Sequence, residues 1–333
     1  MSGEMRDLMA WATGSRGPGG RVIVLEDSRH VGEVREMLDT ASGDRHHQIF
    51  VPGDRMDLGD NLVGYGGSFH ECDTEASLGD DFYLQVQNYS ITQYVSVIGP
   101  TLVRITDEAD FEVWLGDADT AREKGEFAEF LANPALLVAD LPGLGAPLDG
   151  AGPRHRLYVR AGGELTVSPY GSALGRLGDD LTDLEAAWQQ ANAASVHPCA
   201  VTLAAALPET VRAVELAARP WLGEYLLAVD ALRELRSRGV LRVRASGFGG
   251  RLRPENDAVE PARTQARQLV LWTDESAYLY TADGSRLFEL NRAAAELAEL
   301  LLCQGSVEAA AEYAPRAALL KVQQFFERAG VSL

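Results

Sequence analysis

The sequence predicts an α/β chain, an α+β multidomain protein, on three observations. "RVIVLED" (21–27) is a continuous apolar run of the kind buried on both faces of a parallel sheet. "DSRHVGEVREMLDTAS" follows at once, with Val31, Val34 and Leu38 at helical spacing and Asp27 or Ser28 as N-cap. The last 65 or so residues read as three short strands and then three helices.

In chain order, residues 1–20 end in Gly-Pro-Gly-Gly and are expected to form a loose leader ahead of an α/β domain at 21–142. Within that domain "FYLQVQNYSITQYVSVIG" (82–99) and "TLVRIT" (101–106) are β-rich, and "DEADFEVWLGDADTAREKGEFAEFLANP" is mostly helical. A last strand, "ALLVAD", runs into "LPGLGAPLDGAGP", whose Gly and Pro density marks a boundary at 141–153. A middle α+β region, 154–245, opens with a hairpin in which "RLYVR" and "ELTVS" flank Ala161-Gly162-Gly163. Two helical stretches, "ALPETVRAVELAARP" and "EYLLAVDALRELRSRG", come later in it. Residues 246–266 are polar and punctuated by Gly and Pro, as in a linker, and 267–333 form the terminal module.

Composition narrows the function. Over 333 residues the formal charge is -19, which repels phosphate backbones and anionic lipid, so neither nucleic acid nor membrane is an expected partner. The start lacks the basic-then-apolar order of a secretory signal and no run suits a membrane span, so the cytoplasm is the expected location. Cys72, Cys199 and Cys303 form no CxxC pair, which suggests reduced thiols rather than a disulfide framework or zinc site.

Catalytic motifs are absent. The glycines beside "VIVLED" precede the strand, whereas a dinucleotide fingerprint needs them after it, where the helix amides meet the pyrophosphate. His46-His47 and His70-Glu71-Cys72 carry metal-ligand chemistry without a partner motif, and "GDRMDLGDN" misses the calcium-loop pattern. No GxSxG, HExxH or P-loop occurs. The stretch "GGELTVSPYGSALGRLGDDLTDLEAAW" is similar to the closing segment of the SPASM domains of radical SAM enzymes. Ser168 stands where that family has a cluster-ligating cysteine, and a hydroxyl does not replace a thiolate on iron, so no iron-sulfur cluster and no other cofactor is expected.

The terminal module is the most regular part. "QLVLWT", "AYLYT" and "RLFEL" are strands joined through Asp274-Glu275-Ser276 and Asp283-Gly284. Asn291 caps a helix with Ala294, Leu297, Ala298 and Leu301 on one face, and Gly305 ends it. Ser306 caps a second helix. Pro315 opens a third, with Ala318, Val322, Phe325, Phe326 and Ala329 as its apolar stripe. This order is winged-helix-like. "DGSRLFELNRAAAELAELL", "GSVEAAAEYA" and "VQQFFERAGV" resemble the PqqD-like recognition element, which binds leader peptides in pathways to ribosomally made, modified peptides. Over the whole chain, the front half, the "YVRAGGELTVSPYGSALGRLG" hairpin and this module resemble the recognition proteins of daptide-type pathways.

The resemblance implies strand addition of a precursor's leader beside the third strand and against the third helix, with the pathway's modifying enzymes as further partners. On this chain the edge is Ser285, Arg286, Leu287, Phe288, Glu289 and Leu290, and the facing helix presents Arg316, Lys321, Gln324 and Arg328. The expected function is therefore a non-catalytic, peptide-binding adaptor. Two alternatives stay open: an enzyme with its site in residues 20–245, around His70, Glu71 and Cys72 or Tyr170, and a transcriptional regulator, for which the module has more acidic than basic groups.

Overall fold

A computed structural model describes residues 2–15, 17, 20–40, 46–53, 57–59, 61–147, 150–195, 201–256, 267–282 and 285–333. It is a mixed α/β structure in two compact units, Met1–Trp114 with Ala135–Arg219, and Leu115–Pro134 with Pro220–Leu333. Cys199 and Asp283-Gly284 lie outside the described residues.

The first unit opens with a helix where a loose leader is expected. α1 (Gly3–Thr13) is capped by the Ser2 side chain, which accepts from the Met5 amide, and ends at Gly14 in the left-handed region. Leu8, Trp11 and Ala12 form its buried face, a spacing that the Gly-Pro punctuation downstream masks in the sequence. Then come β1 (Arg21–Leu25), α2 (Val31–Thr40), β2 (His47–Pro52), β3 (Asp57–Gly59), β4 (Leu62–Gly67), β5 (Thr74–Leu78) and β6 (Phe82–Asn88). Asp27 supplies the cap before α2, accepting from the Arg29 amide. β6 ends earlier than its β-rich sequence suggests, because the chain turns into the short α3 (Tyr89–Thr92). β7 (Thr101–Arg104), α4 (Glu108–Lys124) and β8 (Leu136–Val138) follow. The start of α4 belongs to the first unit and its end to the second.

The expected boundary at 141–153 does not separate the hairpin from this domain. β9 (Arg156–Val159) lies parallel to β1, with Val22 opposite Arg156 and Leu25 opposite Val159. β10 (Glu164–Thr166) and β11 (Gly175–Arg176) extend the same sheet, whose order is β11-β10-β9-β1-β2-β4-β5-β6-β7-β8, with β3 beside β4. α5 (Leu181–Ala193) and α6 (Glu209–Ala218) complete the unit. One face of the sheet, from Tyr158 on β9 to Leu102 on β7, packs into a single apolar cluster with Leu8, Trp11 and Ala12 of α1. The other face buries Ile23, Ile49 and Leu157 against Val34 and Leu38 of α2 and Leu184 of α5. The Trp11 indole donates to the Leu157 carbonyl at 3.0 Å, which ties α1 to β9.

In the second unit, α7 (Leu222–Ser237) and the sheet β12 (Arg244–Ala245), β13 (Gln268–Trp272), β14 (Ala277–Thr281) and β15 (Arg286–Leu290) precede α8 (Arg292–Gln304), α9 (Val307–Ala310) and α10 (Arg316–Arg328). The strands pair in that order, all antiparallel. Val270, Trp272, Leu279 and Phe288 face the helices α8 to α10. The opposite face meets α7, where Tyr280 donates to Asp230. The expected linker is in part structure: Phe248, Leu252 and Asn256 are buried, and the Glu299 carboxylate accepts from Ser246 Oγ at 2.6 Å and from the Leu252 and Arg253 amides at 2.8 Å each. Residues 257–266 lie outside the described residues.

Removing the Trp11 side chain would leave a large cavity under the sheet. Trp11→Ala should cost about 3–5 kcal/mol of stability, read as a lowered urea midpoint. A midpoint shift worth less than about 1 kcal/mol would mean that α1 does not carry the core.

Candidate functional site

β15 follows β14 in register, Leu279 opposite Phe288 and Thr281 opposite Arg286, and no described strand lies along its outer edge. An edge strand presents a row of amides and carbonyls to any extended chain that comes alongside. Alternation along β15 sets the side chains: Phe288 and Leu290 pack toward the helices, while Leu287, half-buried, and Glu289, exposed, point to the other face. Ser285 enters the strand with φ +47.

α10 runs beside this edge. The Phe288 and Phe326 rings meet edge-to-face at 5.5 Å. The Arg286 guanidinium donates to the Ala329 and Gly330 carbonyls at 2.7 and 3.3 Å, so it ties the start of β15 to the last turn of the helix. Leu319, Val322 and Phe326 are the buried side of α10, but Phe325, expected in the same stripe, is 53 % exposed. Its ring still touches Phe326, at 5.0 Å between centroids.

At about 100° per residue, Ala318, Lys321, Phe325 and Arg328 form one ridge along α10. Ala318 also lines a cleft of about 600 Å³ between the first turns of α8 and α10, with Leu252, Pro254, Arg292, Leu297 and Tyr313 around it. The Glu299 bonds to the 252–253 backbone hold one wall of that cleft. Gln324 is exposed on the outward side. Arg316, nine residues before Phe325, is half a turn away from the ridge and pairs with Glu308 of α9 at 3.3 Å. Of the four polar residues expected on the helix, Lys321, Gln324 and Arg328 therefore share one exposed face and Arg316 stands apart, while Phe325, expected in the apolar stripe, lies with the exposed three. Its signal in the sequence was weak: adjacent residues lie about 100° apart, so one of two neighbouring phenylalanines falls at the margin of the apolar face.

The first unit gathers a second set. Ser68 Oγ accepts from the amides of His70 and Glu71, which turns the chain after β4. Arg160 donates to the Pro169 and Gly171 carbonyls and so presents Tyr170, whose ring stacks on His70 at 5.3 Å and whose hydroxyl donates to the His70 carbonyl at 3.0 Å. Burial pushes the Cys72 thiol up, against the opposing pulls of Arg104 and Tyr170. Burial likewise raises Tyr170, to about 12. Both groups are held protonated at neutral pH, which makes them donors rather than a nucleophile or base. Glu71 is exposed, and Ser168 is buried and donates to the Thr202 carbonyl. Among the described residues no three His, Cys, Asp or Glu side chains gather as a metal site, and no helix is long and apolar enough to cross a membrane.

Comparison with family models, with curated proteins and with solved structures gives no match for this chain.

The two phenylalanines of α10 should separate cleanly. Phe326→Ala should cost about 3–5 kcal/mol in urea denaturation, whereas Phe325→Ala should stay within about 0.5 kcal/mol of the parent. Equal losses would place both rings in the core.

Proposed function

We propose that the chain is a recognition protein for a ribosomally made precursor peptide, whose leader adds as a strand beside β15 and rests its side chains against the Ala318–Lys321–Phe325 ridge. The observation that carries this reading is the outer edge of β15, along which no described strand runs, alongside an exposed aromatic on α10. The backbone of the edge supplies affinity for any extended chain, and the ring and the cleft beyond it supply choice among side chains. Lys321 and Arg328 on the same ridge suit acidic leader residues.

Under this reading the module is PqqD-like and winged-helix-like, and the first unit docks a modifying enzyme, in a daptide-type or related pathway. Tethering then raises the effective concentration of the peptide's modifiable end at the partner's active site. The cytoplasm is the compartment that such a pathway implies. The rival reading, an enzyme, draws on the meeting of His70, Cys72 and Tyr170, but a protonated thiol beside a protonated phenol supplies no activated nucleophile.

Fluorescence anisotropy of the full chain with labelled leader peptides, the probes being those encoded beside its gene, tests the proposal. Micromolar binding, lost on scrambling the leader, is expected. Lys321→Glu and Phe325→Ala should each weaken it about tenfold, while Arg316→Glu changes it less than about twofold. No binding by the folded chain rejects the adaptor, and a larger loss from Arg316→Glu than from Lys321→Glu moves the groove to the other side of α10.

A further inference from the structure

The crossover between β6 and β7, within the first unit, turns an apolar side outward. The two strands are parallel, and such a pair is ordinarily bridged by a helix that packs on the sheet. Residues 89–100 make this bridge with only α3 and the turn after it, in which the Tyr94 and Val95 amides donate to the Ile91 and Thr92 carbonyls at 2.9 and 3.2 Å. Tyr89 and Thr92 are its buried side. At about 100° per residue, Ile91, Tyr94 and Val95 span the opposite side, and all three are exposed. Ile98 follows at 85 % exposure, against 82 % for Tyr94. The Gln85 amide donates to the Pro100 carbonyl at 3.0 Å, which returns the chain to the end of β6 where Tyr83 is also exposed. Single exposed apolar side chains are ordinary, but these together reach the few hundred Å² at which an apolar patch marks an interaction site.

Charge decides what fits there. From Phe82 to Val103 the sequence has no charged residue, although the chain as a whole carries -19. Exposed acids border both ends. Asp80 and Asp81 lead into β6 beside Tyr83. Asp107 and Glu108 open α4 at the other end, where the Ser90 amide and hydroxyl donate to Asp110 at 3.0 and 2.6 Å. Between Arg55 and Arg122 the sequence has a single Lys or Arg, Arg104, and it is 1 % exposed. The surface thus has an apolar, tyrosine-bearing centre between acidic borders, the layout of a protein interface with its charges at the rim. A second copy would set acid against acid, and anionic lipid or nucleic acid would meet the same repulsion.

We propose that Ile91, Tyr94, Val95 and Ile98 form the docking surface for a protein partner whose own patch is apolar at its centre and bordered by Lys and Arg. The apolar centre holds the complex, and the acidic borders steer its formation. Under the recognition reading this partner is the modifying enzyme that the first unit docks, and the inference rests on that reading for the partner's identity. The surface is separate from the β15 groove, so the two are tested apart.

The test is biolayer interferometry of the full chain, without leader, against each purified modifying enzyme encoded beside its gene. Micromolar or tighter binding to one of them is expected. Tyr94→Ser with Ile98→Ser should raise the Kd about tenfold or more, while the urea midpoint and the leader affinity stay as in the parent. Asp80→Lys with Glu108→Lys should slow association about tenfold at low salt and flatten its salt dependence, with little change in dissociation. Binding that the Tyr94 and Ile98 substitutions leave unchanged overturns the surface and keeps enzyme docking. No binding by any of the enzymes overturns both, whatever the leader does. Faster association of the Asp80 and Glu108 variant would reject a basic partner border. The proposal also falls if the chain alone is a dimer by light scattering that Tyr94→Ser with Ile98→Ser dissolves, or if it sediments with phosphatidylcholine vesicles through those residues.

Discussion

The contact on which the first unit depends is Asp140 held between Arg104 and Arg156. In the sheet order these arginines come from the ninth and third strands, six places apart, so on a flat sheet they would lie about 29 Å from each other. Meeting at one carboxylate requires the sheet to curl, and α1 is what the curl encloses. Asp140 takes a left-handed backbone at φ +54, an uncommon conformation for a non-glycine residue, and its amide donates to the Ala12 carbonyl at the end of α1. Helix, sheet closure and charge trio are thus one construction. Substituting any member disturbs the other two.

The second unit is organised differently, around a carboxylate with a complete set of donors. Glu299 on α8 gathers Ser246, Leu252 and Arg253, and the segment it holds becomes a wall of the cleft beside α10. The contrast is physical: Glu299 receives neutral donors, while Asp140 receives two cations from distant strands. The first arrangement builds a surface. The second closes a sheet.

Local chemistry was legible in the sequence, and long-range closure was not. Asn291, Gly305 and Ser306 marked the helices of the terminal module because caps and left-handed glycines act on their immediate neighbours, and all three do so in the structure. The parallel pairing of β9 with β1 joins residues more than 130 positions apart and has no local signature, so Gly and Pro density at 141–153 suggested a boundary where the sheet is continuous. Arg104, Asp140 and Arg156 stand in no common motif, so nothing local joins them. α1 was hidden by the glycines that follow it, although Ser2, Leu8, Trp11 and Gly14 carry its cap, face and stop. At the candidate groove the edge strand was readable, but the face of α10 was not, because a five-residue apolar stripe was counted where only part of it fits under the sheet.

The tie from Arg286 to the Ala329 and Gly330 carbonyls has a thermodynamic meaning. It fastens the start of the edge strand to the end of the helix, so the separation between them is set before anything enters. A chain that adds to β15 meets a receptor with little freedom left to lose, and the entropy of association falls almost wholly on the incoming segment. Affinity at such an edge is then governed by how extended that segment already is in solution, more than by any adjustment of the protein.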